Sequence, residues 1–233
     1  MSTVAVLCTN HKSDPVPMLN GLFRQTRLPD GVLLESSGVS REGDRLIHTC
    51  DVPCRGDYEL RYTVDDVLVP EENDYGYQKR NRMAERAKAD WLAFWCHDDS
   101  YHPRYLELMM AAAEKQPEAE VVYCNYNIWP ECRFLQRQST VGNFIITRSL
   151  FHTLGGFWRK QRDNWGYADA AFIDAINERG TCVAHVPFTL YYHNVPFDPS
   201  VTATVWGIPT HSTPTDYKQW VSVTDRRLQD AGV

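Results

Sequence analysis

Residues Trp91 to Pro103 read WLAFWCHDDSYHP. The first six are apolar without alternation, the pattern of a strand covered on both faces rather than wetted on one. That predicts a central strand of an α/β sheet. A polar turn with two adjacent carboxylates follows, and Pro103 suits the first turn of a helix running through PRYLELMMAAAEKQ. Asp98 and Asp99 therefore leave the carboxyl end of a buried strand, the edge at which open α/β sheets bind ligands. Hard oxygen donors there suit Mg²⁺ or Mn²⁺ holding a diphosphate. The same carboxylates would also solvate a turn or cap the next helix, so the pair alone leaves both readings open.

On the N-terminal side, short apolar runs alternate with helical patterns, as in βαβ units. Thr3 to Cys8 reads as a strand, Pro17 to Gln25 as a helix, Val32 to Glu35 as a second strand and Arg45 to Thr49 as a third. Asn73 or Asp74 caps a helix from Tyr75 to Lys88. On the C-terminal side, strands are expected at Val121 to Tyr126 and Asn143 to Thr147, then a short helix at Ser149 to Leu154 stopped by Gly155 and Gly156. Ala168 to Glu178 reads as a helix ended by Gly180, and strands return at Cys182 to Val186 and Thr189 to His193. Asn194 to Pro214 is rich in turn formers and is expected to be a flap, with a closing helix from Thr215 to Gln229 docked through Trp220, Val223 and Leu228. The expected architecture is one α/β domain with a mostly parallel central sheet flanked by helices.

The composition fits a folded globular chain: of 233 residues, 43% are hydrophobic and 23% charged. A net charge of −6 gives no general attraction to nucleic acid or anionic membrane. No apolar run is long enough to span a bilayer, and the opening MSTVAVLCTNHK lacks the order of a signal peptide, so a cytoplasmic location is expected. Seven scattered cysteines suit a reducing compartment. Cys50 and Cys54 have no second pair or His pair to complete a zinc site.

The order of these segments resembles the GT-A-fold glycosyltransferases of family 2, with particular similarity to a bacterial spore-coat glycosyltransferase. The likeness rests on VAVLCTNHK and LFRQT (Thr9, Asn10, Gln25, Thr26), LLESSG (Leu33 to Gly38), and KRNRMAERAKADWLAFWCHDDSYHP with Arg80, Asn81, Asp98 and Asp99. It continues through GGF at Gly155 to Phe157 and WGYAD at Trp165 to Asp169, and covers residues 3 to 193. It implies a nucleotide-binding and catalytic domain over 1–193, with the flap and last helix (194–233) packed on the same domain. It also implies a metal-dependent, inverting transfer from a nucleotide-sugar, most often a UDP-sugar.

In that reading Asp99 is the direct ligand of Mn²⁺ or Mg²⁺, Asp98 meets the ribose or a metal-bound water, and His193 is a third ligand or a structural residue. Thr9 and Glu35 contact uracil and ribose, Asn10 and Asn81 hold matched donor-side positions, and Arg80 reaches a phosphate or lies on a solvated face. Asp169 is the general base, or a carboxylate stabilised at a helix N-terminus; Asp163 is next in line. His97 and His102 are weaker candidates, and Trp158, Trp165 and Trp206 could stack on a sugar. Three departures stand out. Cys96 occupies the first Asp position of an Asp-X-Asp motif, Ala168 stands where many members have Glu, and Glu35 replaces Asp. Cys96 and Ala168 keep a non-catalytic nucleotide-sugar-binding module in view. A sugar nucleotidyltransferase ranks lower, because CTNHKSDPVP lacks a Gly-rich phosphate loop. The acceptor, whether glycan, metabolite, protein or modified nucleic-acid base, is open.

Overall fold

A computed structural model describes residues 1–11, 14–37, 45–53, 59–69, 74–128, 133–135, 140–158, 168–193 and 214–233. The N-terminal half runs β1 (Val4–His11), α1 (Val16–Phe23), β2 (Gly31–Ser37), β3 (Arg45–Pro53), β4 (Glu59–Val69), α2 (Tyr77–Arg86) and β5 (Trp91–Cys96). Then come β6 (Ser100–Tyr101), α3 (Tyr105–Lys115), β7 (Val121–Ile128), β8 (Arg133–Leu135), a 3-10 turn at Val141–Asn143, β9 (Phe144–Thr147), α4 (Arg148–Thr153), α5 (Ala168–Glu178), β10 (Val183–His193) and α6 (Pro214–Asp230). The strands form one sheet in the order β3-β4-β2-β1-β5-β9-β7-β10-β6, with β8 beside β7.

The run WLAFWC is β5, residue for residue, and it lies mid-sheet between β1 and β9. Successive side chains point to opposite faces. Trp91, Ala93 and Trp95 join one core with Met18, Leu19 and Leu22 of α1 and Leu106, Met109 and Met110 of α3. Leu92 and Phe94 join the other with Met83 of α2, Phe151 of α4 and Phe172 of α5. Two covered faces explain the lack of alternation. Each large apolar side chain buried this way contributes about 1.5–3 kcal/mol relative to exposure.

The mostly parallel sheet expected from the sequence is corrected to a mixed one. β1 pairs parallel with β2 and β5, β2 with β4, and β7 with β10. In contrast, β3–β4, β5–β9, β7–β9, β7–β8 and β6–β10 are antiparallel. Parallel neighbours need a crossover, which α1 supplies between β1 and β2 and α2 between β4 and β5; antiparallel neighbours need only a short return. β4 was not expected, because Asp65 and Asp66 interrupt its apolar pattern. The two C-terminal strands are one, β10, with register shifts between Val186 and Tyr191 around Pro187, which has no N–H to pair.

Helix ends follow their local chemistry. Asp74 accepts hydrogen bonds from the amides of Gly76 (2.9 Å) and Gln78 (2.5 Å), so it serves as the expected cap of α2; Asn73 lies outside the described residues. Pro103 precedes α3 rather than opening it. The Gln25 side chain instead donates to the His102 carbonyl (2.9 Å) and accepts from the Leu106 amide (3.1 Å), pinning the start of α3. α6 docks on β10, with Trp220 stacked on Tyr192 at 5.2 Å and Leu228 in the core. The sequence 194–213, including Trp206, lies outside the described residues. Among the described residues no helix is long and apolar enough to cross a membrane.

Candidate active site

The carboxyl ends of β1 and β5 are adjacent in the sheet, so Thr9 pairs with Cys96 and the chain turns directly beyond them. His97 and Asp98 form that turn, held by the His97 amide on the Thr9 carbonyl (3.3 Å) and the Asp99 amide on the Cys96 carbonyl (3.3 Å). Ser100 and Tyr101 then pair antiparallel with Tyr192 and Tyr191, which brings the end of β10 to the aspartates. Residues far apart in sequence thus meet at one sheet edge.

Asp99 is 2% exposed. Its Oδ2 accepts from the Tyr191 hydroxyl at 2.7 Å, and its Oδ1 lies 3.0 Å from His193 Nδ1. Asp98 is half-buried and more open. Burial raises the Asp98 pKa and the neighbouring Asp99 charge adds to the rise, while His97 and His193 oppose it. Burial alone would lower the His193 pKa, but the Asp99 charge and hydrogen bond, with Asp98 and Asp169 behind them, carry it upward.

Ligand atoms of Cys96, Asp98 and Asp99 all lie within 4.8 Å of one another, with His193 beside Asp99. The oxygens and the imidazole fit a divalent cation of the Mg²⁺ or Mn²⁺ type. The Cys96 thiol does not. Burial pushes it up to about 12, with Arg80 pulling it down and both aspartates adding to the rise, so it remains protonated at neutral pH. Its sulfur is occupied by Arg80 Nη2 at 2.6 Å and by the Thr9 hydroxyl at 3.4 Å.

Arg80 is 2% exposed and faces inward. Its guanidinium donates to the Tyr75 carbonyl (2.9 Å), Thr9 Oγ1 (3.3 Å) and Cys96, and lies 5.3 Å from the Tyr77 ring centre. It braces the floor of the site, which corrects both the phosphate-contacting and the solvated-face readings. Thr9 is part of the same floor, donating to the Trp95 carbonyl at 3.3 Å.

Two further expectations change. Glu35 is 1% exposed, and its carboxylate is taken up by Arg82 (2.9 Å) and Arg86 (2.7 Å) of α2. It fastens β2 to α2 rather than presenting an acid to ribose. Asn81 grips the backbone of Phe157, donating to its carbonyl and accepting from its amide, both at 2.8 Å. The polar groups at the end of the first strands are others: Asn10 donates to Ser36 Oγ (3.1 Å), Ser36 donates to Asp66 (2.7 Å), and buried Lys79 donates to the Asn10 carbonyl and Ser37 Oγ. Lys79 was missed because it sits in a charged run that reads as a wet helix face.

Asp169 opens α5, where its Oδ1 accepts from the Ala170 amide at 2.8 Å. Its charge acts on His193 and on Tyr77, and the Tyr77 hydroxyl accepts from its backbone amide. It therefore shares the neighbourhood of Asp98, Asp99 and His193. Trp158 packs edge-on against Phe172 at 6.0 Å and belongs to the core rather than to a sugar platform. His102 is buried beside Asp225 of α6, with Nε2 3.1 Å from Oδ1 but out of hydrogen-bond alignment. Trp165 and Asp163 lie outside the described residues. Tyr191, which completes the cluster, was read only as part of a strand.

No protein-family model and no curated protein sequence matches the chain. Solved structures do. Residues 1–349 of S. aureus TarS, in complex with UDP, share 11% identity at a TM-score of 0.56, covering 83% of this chain and 60% of that one. Glucosyl-3-phosphoglycerate synthase from Mycobacterium tuberculosis, in complex with Mg²⁺ and UDP, shares 13% identity at a TM-score of 0.51, covering 82% of this chain and 71% of that one. The chain thus spans about 60% of the TarS chain that it matches. At these identities the likeness is one of fold: this chain is a single α/β domain of the GT-A type, a central sheet flanked by helices.

Proposed function

We propose that this domain transfers a sugar from a UDP-sugar to an acceptor hydroxyl, with a divalent cation and with inversion. The observation that carries the reading is the cluster of Asp98, Asp99 and His193 at the carboxyl end of β5, in a fold shared with structures that hold UDP. A cation bound there offsets negative charge gathering on the departing diphosphate. Thr9 and Asn10 end β1 at the edge where the nucleotide lies. Asp169 takes the proton from the acceptor hydroxyl as its oxygen bonds to the anomeric carbon. The bond from that carbon to the diphosphate oxygen breaks, and its electron pair leaves with UDP. Residues 1–193 supply this machinery, and 194–233 complete the same domain.

Titration calorimetry with UDP, in Mn²⁺ and in chelator, paired with a UDP-release assay over a panel of UDP-sugars, tests the proposal. Metal-linked binding with release supports it; equal affinity with and without metal sinks it. A second reading, a nucleotide-sugar-binding module without chemistry, is favoured by the thiol at position 96 being tied to Arg80. Binding without release would select it.

A further inference from the structure

Tyr191, Asp99 and His193 form a closed ring of contacts. The Tyr191 hydroxyl donates to Asp99 Oδ2 at 2.7 Å, His193 Nδ1 lies 3.0 Å from Asp99 Oδ1, and the same Nδ1 lies 2.8 Å from the Tyr191 oxygen. The hydrogens can be assigned by elimination. An ionised carboxylate only accepts, so the Tyr191 proton points to Oδ2 and the nitrogen facing Oδ1 must carry its own hydrogen. That N–H is shared between Oδ1 and the Tyr191 oxygen. With the proton on Nδ1, the neutral imidazole keeps its lone pair on Nε2, and among the described residues Nε2 makes no hydrogen bond.

The Tyr191 ring cannot easily move. It is fully buried against Tyr101 (5.1 Å between ring centres) and Tyr126 (6.0 Å). It also lies flat over Gly142, where an added Cβ would fall 2.3 Å from the ring. Residue 142 must be glycine for the hydroxyl to reach Asp99. A histidine whose Nδ1–H is held by a carboxylate, leaving Nε2 to a metal, is the arrangement by which outer partners orient metal-binding imidazoles. A cation on Nε2 and a carboxylate on Nδ1 lie on opposite sides of the ring. In this arrangement Asp99 cannot ligate the cation that His193 holds.

We infer that Tyr191 and Asp99 are positioning residues that fix His193 in the Nδ1–H form, so that Nε2 of His193 and the more open carboxylate of Asp98 take the divalent cation. This rests on the metal-dependent reading above and reverses the role that the sequence suggests for Asp99. It also gives a strand tyrosine a task that side-chain packing alone does not require.

The test has two readouts, only one of which needs a metal. Long-range ¹H–¹⁵N correlation spectra of the metal-free protein, at a pH high enough to leave the imidazole neutral, report which ring nitrogen of His193 carries hydrogen. The Nδ1–H form is expected, against the ordinary preference of a free imidazole for Nε2–H. Mn²⁺ binding in saturating UDP, followed by electron paramagnetic resonance, should weaken about 10–100-fold in Tyr191→Phe, the usual cost of losing an outer partner. Gly142→Ala, which displaces the ring and keeps the hydroxyl, should weaken it in the same direction, with both variants shown to be folded by circular dichroism. An Nε2–H signal in the wild type, or unchanged Mn²⁺ affinity in Tyr191→Phe, overturns the inference while the metal-dependent reading stands. A wild type that binds no Mn²⁺ overturns both.

Discussion

The Asn81 side chain holds the backbone of Phe157 from both directions, donating to the carbonyl and accepting from the amide at 2.8 Å each. A residue of α2 thereby fixes the segment that follows α4, seventy-six positions along the chain. The approach is close: Gly156 has φ +72, and a Cβ there would lie 2.6 Å from Asn81 Oδ1.

Asn81→Ala should therefore lower unfolding free energy by about 1–3 kcal/mol, because it strands a backbone amide and a carbonyl that are part of the packed interior. Gly156→Ala should destabilise through its left-handed backbone and the clash with Asn81, by at least about 1–2 kcal/mol. Urea unfolding measures both. Wild-type stability in Asn81→Ala would show that the clamp is idle.

Glu35→Gln should cost stability and leave UDP affinity nearly unchanged. The buried carboxylate joins Arg82 and Arg86, whose side chains are 37% and 42% exposed, so each arginine can be rehydrated when the charge is lost. The expected loss is about 1–3 kcal/mol, from hydrogen bonds left half-made. A large fall in UDP affinity with normal stability would return Glu35 to the nucleotide site.

Asp169→Asn keeps the shape of the side chain and removes its basicity. Turnover should drop by roughly 10²- to 10⁴-fold, with UDP binding close to wild type. Asp98→Ala should do the opposite to binding, abolishing the difference in UDP affinity between Mn²⁺ and chelator. The two together separate proton removal from metal-linked binding. Near-normal turnover in Asp169→Asn would move the base elsewhere.

His102 makes stability depend on pH. Burial holds its imidazole below the ordinary value of 6.5, against the opposing pull of Asp225. In the window from 6.5 down to that lowered value the unfolded chain binds a proton that the folded chain refuses, so stability falls as the pH drops through it. The stability advantage of the wild type over His102→Gln should shrink across that window. His193 is shifted upward and acts in the opposite sense, which is why the comparison is between these two proteins. A difference that stays constant between about pH 8 and pH 5 would count against this account.

The sequence by itself determined the elements whose signals are local. WLAFWC could only be a strand covered on both faces, Asp74 carried a cap, and Gly155 and Gly156 marked a helix end through a backbone that side chains resist. It also determined that two carboxylates leave the buried strand at the sheet edge, and that Cys96 stands among them. Tertiary structure decided everything that depends on which distant side chain arrives from the other side. Nothing near Glu35 in the sequence shows Arg82 and Arg86 waiting across the α2 packing face, and nothing near Asn81 shows Phe157. The direction of β9 was decided by its neighbours β5 and β7, since an apolar run reads alike in either sense. Asp99 makes the same point at the site. Its place in the sequence suggests a ligand, but its hydrogen-bonding capacity is shared with Tyr191 and His193, which the antiparallel pairing of β6 with β10 brings to it. Local patterns record the backbone and the burial of each residue; the partners of a polar atom are a property of the folded surface that meets it.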